Sequence, residues 1–443
     1  MITTLARSRI DRQAIAAELS EARERTFLLI APLTDEELQA QHDALMSPIL
    51  WDLGHIAHFE ELWLTRNLEG PIEFVEMPGL FNPFEHARRE RAALPLPGPG
   101  QCRKIMEEIR GRVLAHLAAT DLDQENPLLR DGYVYRMVLQ HEYQHNETIL
   151  QTLQLKRGRP YSPAARFELP GTHPQPNPGA GSGSMVRFPG GAVEIGTDDR
   201  SEAYDNERSR HSMRLDPFRI DVNPVTNGDF MTFMAAGGYT APEYWSEAGW
   251  EWVRRAGVHA PRYWSWVDGV WLTRCMDQVG PVDLRHPVCH VSYYEAEAFA
   301  RYAGKRLPTE FEWEAAASWD GASAGRRRYP WGDQRPSKDL ANLDQLSFGT
   351  SPVGSDPKNL SPLGCYGMIG DVWEWTSSDF GPYPGFQSFP YPEYSEAFFG
   401  TEYKVLRGGS WATRPGAIRT TFRNWDYPIR RQIFSGFRCA CDD

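Results

Sequence analysis

Residues 141–145 read HEYQH within the stretch YRMVLQHEYQHNETILQTLQL. Two histidines four positions apart project from the same face of a helix, so His141 and His145 could bind one metal ion. Neutral imidazole is a good ligand for zinc, iron, copper and nickel alike. The pattern also matches the H-E-x-x-H signature of zinc proteases. Two ligands do not complete a metal site. The position of the third ligand therefore distinguishes a hydrolytic zinc site from a site for other metal chemistry.

The sequence after this motif has no third ligand where metzincin proteases place one. The continuation NETILQTLQLKRG contains no histidine, and the next is His173. Upstream, LWDLGHIAHFEELW puts His55 and His58 on a second predicted helix. Ligands from facing helices converge in a bundle core, and three histidines leave positions open for oxygen or substrate. We expect one of these two histidines to point inward and interpret His58 as a packing residue. The arrangement favours redox chemistry, although a hydrogen-bonded histidine pair without metal is an alternative.

Two halves of the chain differ in pattern. Residues 1–160 have helical periodicity, with main helices expected near 9–31, 48–68, 101–120 and 127–157, which predicts an antiparallel four-helix bundle. Thr34 and Asp35 mark the start of a further short helix. Residues 161–188 are rich in proline, glycine and serine and are predicted to be a linker. Short strand-like segments between turns follow in 189–443, so the fold class is α+β with two domains.

Bulk properties restrict the classes of partner. The net charge of −12 gives no general reason to expect nucleic acid or an anionic membrane as a partner. The sequence has no 18-residue apolar run and no hydrophobic block of a signal peptide. Its six cysteines are scattered without a C-x-x-C pair, which indicates reduced thiols. We therefore expect a cytoplasmic protein that acts on small molecules. The sequence leaves its oligomeric state open, and a monomer is compatible with it.

Longer motifs resemble a known family. D-L-G-H (52–55) and H-E-Y-Q-H (141–145), together with the second half, resemble the iron-dependent sulfoxide synthases of ergothioneine biosynthesis, the EgtB family. The second half is similar to the formylglycine-generating-enzyme superfamily, whose fold is related to C-type lectins, through N-E-R-S-R-H (206–211), N-P-V-T-N-G-D-F (223–230), G-K-R-L-P-T-E-F-E-W-E (304–314), Y-P-W-G-D (329–333), G-D-V-W-E-W (370–375), V-L-R-G-G-S-W (405–411) and G-F-R-C-A (436–440). The resemblance implies a DinB-like bundle followed by a domain of that superfamily.

The resemblance also implies an activity. An oxidoreductase of this family would hold non-haem Fe(II) on His55, His141 and His145. With O2, it would join the thiol of γ-glutamylcysteine to C2 of the imidazole of hercynine, the Nα-trimethylated betaine of histidine, giving a sulfoxide. Glu142 would then support the bundle or a ligand and not act as a hydrolytic base. The alternatives are free cysteine as the thiol, a thiol dioxygenase, an ovothiol-type synthase, or a binding module without catalysis.

The resemblance assigns residues to hercynine as well. A trimethylammonium group has no N–H to donate and is normally held by aromatic faces and by oxygen atoms. In the family the betaine pocket combines an Asn-Trp pair with the glutamine of the H-E-x-Q-H motif, here Asn424, Trp425 and Gln144. From the residues alone, Trp425 could equally be a core aromatic of a tryptophan-rich domain.

The thiol substrate is assigned to a basic segment. In FNPFEHARRERAALPLP the pair Arg88 and Arg91 resembles the arginines that bind γ-glutamylcysteine, and arginine forks suit carboxylates. Asp426 would pair with the α-ammonium group of this substrate. Arg89 is expected to face outward. Without the resemblance, such a charge run is usually a solvated surface.

A tyrosine is the expected proton donor. Relatives use a loop tyrosine near the iron to avoid oxidation of the thiol to a sulfinate, and the loop DFGPYPGFQSFPYPEYSEAFF offers Tyr383, Tyr391 and Tyr394. We rank Tyr383 first and Tyr391 second. Formylglycine-generating enzymes also need a cysteine pair near the C-terminus to bind copper. Only Cys439 stands in that region's G-F-R-C motif, so their activity is not expected here.

Overall fold

A computed structural model describes residues 11–69, 79–122, 125–164, 183–321 and 325–443. The chain forms two compact units. Unit 1 comprises Met1–Ala164 with Asp199–Glu202, and unit 2 comprises Ala165–Asp198 with Ala203–Asp443. Within the described ranges, no helix has both the length and the apolar character needed to cross a membrane.

Unit 1 is helical. Its helices are α1 (Arg12–Ile30), α2 (Asp35–Gln39), α3 (Ile49–Glu61), α4 (Asn67–Glu69), α5 (Pro99–Ala119) and α6 (Tyr133–Leu155). A π-helical turn, Leu62–Arg66, joins α3 to α4, and 3-10 turns span Arg88–Ala93 and Arg130–Gly132. The four long helices correspond to the four predicted from periodicity; α3 packs against α5 and α6, and α1 packs against α6.

Local sequence signals set most helix starts. The Thr34 hydroxyl accepts from the Glu37 amide at 3.3 Å, and the Glu37 carboxylate accepts from the Thr34 amide at 3.1 Å, which completes a capping box for α2.

The start of α6 differs from the predicted start at residue 127 because Asp131 and Gly132 have positive φ angles of 59° and 70°. These left-handed residues interrupt the helical path, so α6 begins at Tyr133.

Unit 2 contains short strands, short helices and long loops, as predicted. Its helices are α7 (Asn227–Ala235), α8 (Glu247–Ala256), α9 (Tyr293–Tyr302) and α10 (Glu310–Ser318). Its strands are β1 (Met185–Phe188), β2 (Gly191–Ile195), β3 (His211–Leu215), β4 (Phe218–Asp221), β5 (Trp264–Val267), β6 (Val270–Cys275), β7 (Gln278–Pro281), β8 (Trp319–Asp320), β9 (Gly325–Arg326), β10 (Trp373–Phe380), β11 (Gly400–Arg407), β12 (Asn424–Asp426), β13 (Ser435–Gly436) and β14 (Ala440–Asp442).

The largest sheet in the described part of unit 2 has four strands in the order β12-β11-β10-β13. Strand β11 pairs antiparallel with β10 and with β12, placing Val405 opposite Trp425, whereas β13 pairs parallel with β10. Separate sheets have the orders β1-β4-β14 and β5-β6-β7, and β2-β3 and β8-β9 form two-stranded pairs. The Asn-Trp-Asp segment is therefore fixed by backbone hydrogen bonds to β11.

The predicted linker of 161–188 is too long at its C-terminal end. Most of it, 165–182, lies outside the described residues. Strand β1 begins at Met185 and pairs with β4, with Met185 opposite Asp221. The glycine-serine run ends at Ser184, and the following MVRF segment has the β-branched and aromatic residues that favour a strand.

Candidate metal centre

Three histidines from two helices converge within unit 1. Helix α3 carries His55, and α6 carries His141 and His145. Their ligand nitrogens all lie within 4.8 Å of one another. The Nε2 atoms of His55 and His141 are 3.2 Å apart, and both side chains are buried. His58 lies outside this group, as expected for a packing residue.

A backbone carbonyl orients His55. The Phe81 oxygen lies 2.8 Å from His55 Nδ1. Because a carbonyl oxygen can only accept, Nδ1 carries the proton, and Nε2 presents its lone pair towards the other histidines. This is the usual arrangement of a metal-binding imidazole, in which the second nitrogen donates to an oxygen.

A buried carboxylate lies beside His145. Asp52 Oδ1 is 3.5 Å from His145 Nδ1, which is within ion-pair range and longer than a good hydrogen bond. Neither His145 Nδ1 nor Asp52 Oδ2 has a hydrogen-bond partner among the described residues, although both atoms are buried. Unpartnered groups of this kind beside clustered imidazoles fit a metal ion with a carboxylate supporting one ligand.

Burial keeps two of the imidazoles neutral. The pKa of His55 and that of His141 are held well below the usual value, first by burial and then by the neighbouring charge that a protonated His145 would add. A metal competes with the proton for the same lone pair, so a lowered pKa leaves these nitrogens available near neutral pH. The donor set therefore fits a divalent transition metal.

Aromatic rings stack on two of the candidate ligands. Trp51 stacks on His55 with ring centres 4.9 Å apart, and Phe59 stacks on His141 at 3.8 Å. Apolar surroundings of this kind restrict water and lower the local dielectric at a metal centre.

Glu142 has a structural role, as expected. Its carboxylate accepts from Arg23 Nε at 2.9 Å, from Thr26 Oγ1 at 2.8 Å and from Arg110 Nη2 at 2.7 Å. Burial alone would raise the pKa of Glu142, but the charges of Arg23 and Arg110 outweigh this effect and lower the pKa to about 2. A carboxylate with so low a pKa, whose oxygens already accept from two arginines, is a poor proton acceptor and does not suit the role of a general base for hydrolysis.

Glu60 completes a buried ion network. It accepts from Arg23 Nη2 at 2.6 Å and from Arg110 Nε at 2.5 Å. Arg23, Glu60, Arg110 and Glu142 come from α1, α3, α5 and α6, so each long helix contributes one charge. No local sequence pattern links these four positions, so the network is not predictable from the sequence alone.

The two predicted substrate arginines differ in environment. Arg88 is exposed, and its Nη1 donates to the Leu45 carbonyl at 3.2 Å. Arg91 is buried; its Nη1 donates to Ser47 Oγ at 2.8 Å, and its guanidinium lies 3.6 Å from the centre of the Trp51 ring. Burial, followed by the charge of Arg88, lowers the pKa of Arg91 to about 10, so it remains protonated near neutral pH.

Arg89 and Gln144 are two further residues of unit 1 that the sequence singles out. Arg89 is exposed, with a side chain 76% accessible, and it forms a 3.5 Å ion pair with Glu90. Gln144 is half-buried on α6, immediately before the ligand candidate His145.

The Asn-Trp-Asp segment forms strand β12 of unit 2, and all three residues are half-buried. Trp425 stacks on Phe380 with ring centres 4.1 Å apart. Asp426 Oδ1 accepts from the Tyr427 amide at 2.8 Å and forms a 3.1 Å ion pair with Arg430 Nε. Both the indole and the carboxylate are thus held in fixed orientations.

The geometry does not favour Tyr383 as the proton donor. Tyr383 is 3% exposed, and its hydroxyl donates to Glu310 Oε2 at 3.3 Å. The Arg423 guanidinium lies 4.1 Å from the ring centre, so the tyrosine is part of a buried charged core. Burial and then the charge of Glu310 raise its pKa strongly. Tyr391, ranked second, is half-buried and contacts Tyr394 edge to face at 6.2 Å.

All six cysteines lie in described parts of the chain, and none of them forms a disulfide bond. Cys439 is fully buried, and its amide donates to Asp221 Oδ2 at 2.9 Å. That the chain lacks the copper chemistry of formylglycine-generating enzymes stays a prediction.

Comparison with known proteins identifies the family. Residues 18–149 match the DinB superfamily, and residues 170–443 match the sulfatase-modifying factor enzyme 1-like domain. The hercynine oxygenase of Mycobacterium tuberculosis is 45% identical over 433 residues, which cover 97% of this chain and 99% of that protein. The chain belongs to the hercynine oxygenase family. The resemblance to EgtB sulfoxide synthases drawn from the motifs is confirmed.

Two further relatives match all or part of the chain. The hercynine oxygenase of Mycolicibacterium smegmatis is 44% identical over 442 residues, covering 98% of this chain and all of that protein. The formylglycine-generating enzyme of Streptomyces coelicolor is 37% identical over 324 residues, covering 63% of this chain and 95% of that enzyme. The α+β, two-domain prediction is confirmed, and this member of the hercynine oxygenase family is an oxygen-using oxidoreductase.

Within this hercynine oxygenase fold, sequence reasoning missed three residues that surround the ligands. In the sequence, Asp52 stands out only as part of the D-L-G-H motif, and no motif marks Trp51 or Phe81 as a site residue. A carboxylate is a common partner of a metal-binding histidine, but the sequence does not show that Asp52 of α3 lies beside His145 of α6. Phe81 contributes its backbone, which no side-chain pattern reveals.

Proposed function

We propose that this chain is an Fe(II)- and O2-dependent sulfoxide synthase. It joins the thiol of γ-glutamylcysteine to C2 of the hercynine imidazole and gives γ-glutamyl-hercynylcysteine sulfoxide in ergothioneine biosynthesis. The S–H and C2–H hydrogens are lost, and O2 supplies one oxygen atom to the sulfoxide and one to water. The convergence of three imidazoles within 4.8 Å carries the proposal, and the names of the relatives support hercynine as the substrate.

His55, His141 and His145 would hold the metal. Three neutral nitrogen donors suit Fe(II) and leave coordination positions open. Bound iron supplies the activation of O2 and a binding position for the thiol. Within the chain, the Phe81 carbonyl orients His55, the Asp52 carboxylate supports His145, and the rings of Trp51 and Phe59 limit access of water.

Hercynine is assigned to Gln144, Asn424 and Trp425. A trimethylammonium group binds through aromatic faces and amide oxygens, and these residues supply one indole and two amides. The stacking of Trp425 on Phe380 supports this role, because a fixed indole loses little conformational entropy when it binds a cation.

γ-Glutamylcysteine is assigned to Arg88, Arg91 and Asp426. The exposed guanidinium of Arg88 suits recognition of a carboxylate. Arg91 is held over Trp51, and an arginine fork with five N–H groups has donors beyond those used by its protein partners. Asp426 is the proposed partner of the substrate ammonium group.

Tyr391 is the proposed proton donor of the reaction. It lies in the predicted loop, and its half-buried side chain contrasts with the buried Tyr383, whose hydroxyl bonds to Glu310. A phenol near the reacting sulfur would deliver a proton and direct turnover away from sulfinate. The proposed location is the cytoplasm, which is supported by six cysteines that form no disulfide bond.

One reconstitution experiment tests the function. Metal-free protein is loaded anaerobically with Fe(II), exposed to O2 with hercynine and either γ-glutamylcysteine or cysteine, and the products are identified by mass spectrometry. The γ-glutamyl sulfoxide should form at the higher rate. A higher rate with cysteine would identify free cysteine as the thiol substrate. Sulfinate as the sole product would identify the protein as a thiol dioxygenase.

Variants of two histidines test the metal assignment. H141A should lose stoichiometric iron, measured by elemental analysis, and all sulfoxide product. H58A is the matched control, because His58 lies on α3 outside the cluster and should keep both. Full iron occupancy in H141A would contradict the ligand set.

A further inference from the structure

The glycine of the D-L-G-H motif lies beneath an aromatic ring. A Cβ atom built on Gly54 would be 2.1 Å from Cε1 and 2.2 Å from Cζ of Phe81. These distances are far below any normal carbon–carbon contact, so the Phe81 ring occupies the space that every other residue would need. Glycine is unfavourable in the interior of a helix such as α3, and local propensity therefore does not explain it.

The ring contact is linked to a metal-ligand candidate through the backbone. The backbone carbonyl of Phe81 accepts a hydrogen bond from the Nδ1–H of His55 at 2.8 Å. His55 directly follows Gly54 in α3. One residue earlier, the Leu80 carbonyl accepts from Trp51 Nε1 at 3.1 Å. Trp51, Leu80 and Phe81 also form a buried apolar cluster. The segment 80–81 is thus held against α3 by a ring contact and two carbonyls.

We propose that Gly54 and Phe81 are positioning residues for His55. The Phe81 ring, packed directly on the α3 backbone at Gly54, fixes the carbonyl that holds His55 with its proton on Nδ1 and Nε2 turned to the metal. The inference rests on the proposed function only in taking His55 as a metal ligand. Under the simpler alternative, the contact is ordinary core packing and does not affect the imidazole.

Four variants separate these two roles. G54A forces the Phe81 ring away, F81A removes the ring, and G54A/F81A combines both changes. G111A is the matched control, because Gly111 lies on α5 of the same unit and a Cβ there would meet nothing within 4 Å. Circular dichroism and thermal unfolding establish that each variant is folded.

Two readouts are used. The Fe(II) dissociation constant is measured anaerobically by competition with a chelator. In metal-free protein, ¹⁵N–¹H spectra of the imidazoles report which nitrogen of His55 carries the proton, which core packing alone would not change. G54A should bind Fe(II) about 10- to 100-fold more weakly, the range for loss of a group that orients a ligand, and should lose the Nδ1–H form. G111A should match the wild type in both.

The double variant makes the test sharper. Once the ring is absent, the methyl group added at position 54 has nothing to displace, so G54A/F81A should bind Fe(II) no more weakly than F81A. Additive losses would overturn the proposal, as would a folded G54A with wild-type affinity and His55 tautomer. If G54A does not fold, F81A decides: wild-type affinity and tautomer overturn the inference, and loss of both supports it. Wild-type protein that fails to bind Fe(II) would instead overturn the proposed function.

Discussion

Residues that share a motif in the sequence can have different environments in the fold. Arg88 and Arg91 form one R-x-x-R pair, yet Arg88 is exposed while Arg91 is buried over Trp51. A substitution at Arg91 would therefore disturb packing next to His55 as well as any carboxylate contact. Arg88 is the better residue for a test of substrate recognition.

R88A should raise the Michaelis constant for γ-glutamylcysteine about 10-fold or more and change kcat little. The reason is that a charge-assisted hydrogen bond to a substrate carboxylate contributes about 1.5–3 kcal/mol. Steady-state kinetics with varied thiol measure the effect. R89A is the control, since its exposed side chain pairs with Glu90, and it should match the wild type. An unchanged Michaelis constant in R88A would remove this arginine from the thiol site.

Y391F should divert turnover from the sulfoxide towards the sulfinate, because the variant keeps the ring and loses the acidic hydroxyl. The product ratio is read by mass spectrometry. Y383F is the control: it loses a buried hydrogen bond to Glu310, which should lower the free energy of unfolding by about 1–3 kcal/mol and leave the ratio unchanged. If neither variant changes the ratio, tyrosine does not donate the proton.

At the scale of elements, charge joins the four long helices of the bundle. Arg23 and Arg110 each bond to Glu60 and Glu142, so the network links α1, α3, α5 and α6. Because Glu142 lies between the ligand candidates His141 and His145 on α6, this network also fixes the rotation of the helix that presents them. Replacing one of these four charged residues by a neutral one leaves an uncompensated charge in the core of the bundle. Such a charge strongly lowers the free energy of unfolding.

The network predicts a specific loss of stability in acid. The pKa of Glu142 is about 2 in the folded chain against an ordinary 4.5, so its contribution is present above pH 4.5 and is lost as the pH falls towards 2. The difference corresponds to about 3 kcal/mol. Urea unfolding at pH 7 and pH 3 should show E142Q several kcal/mol less stable at pH 7, with the gap narrowing at pH 3.

A surface glutamate provides the control for this experiment. E108Q removes the exposed i,i+4 pair with Lys104 on α5 and should change stability by less than about 0.5 kcal/mol at either pH. If E142Q had the same stability difference from the wild type at both pH values, Glu142 would not be the acid-sensitive group.

At the scale of the whole molecule, the proposed metal ligands belong to one unit. All three histidines are in unit 1, on α3 and α6, whereas the Asn-Trp-Asp strand and the tyrosine loop are in unit 2. Iron binding is therefore proposed to depend on unit 1, whereas the residues proposed for the organic substrates come from both units. A ligand that binds only the folded state stabilises the elements that hold it.

Fe(II) should protect the amides of α3 and α6 from hydrogen exchange. The changes in exchange should be smaller in the four-stranded sheet of unit 2, which contains β10 and β11. Exchange is followed by mass spectrometry under anaerobic conditions with and without Fe(II). H141A should give no protection in either helix. Equal protection of β10 and β11 would contradict a metal site built from unit 1 alone.

Features that depend on neighbouring residues follow from the amino-acid sequence alone. The i,i+4 spacing put His141 and His145 on one face of α6, the Thr34 cap set the start of α2, and the ordered motifs identified the family. Each of these follows from local geometry or from a continuous run of letters. The end of the linker was misplaced because a short strand such as β1 exists only through its pairing with β4.

The groups that surround the candidate ligands are set by long-range contacts in the fold. The carbonyl that orients His55 is 26 residues away, and the arginine that neutralises Glu142 from α1 is 119 residues away. The burial of Tyr383 likewise depends on Glu310 and Arg423, which come from different elements. Free energies of burial and ion pairing depend on which distant groups meet, and a linear pattern does not contain that information.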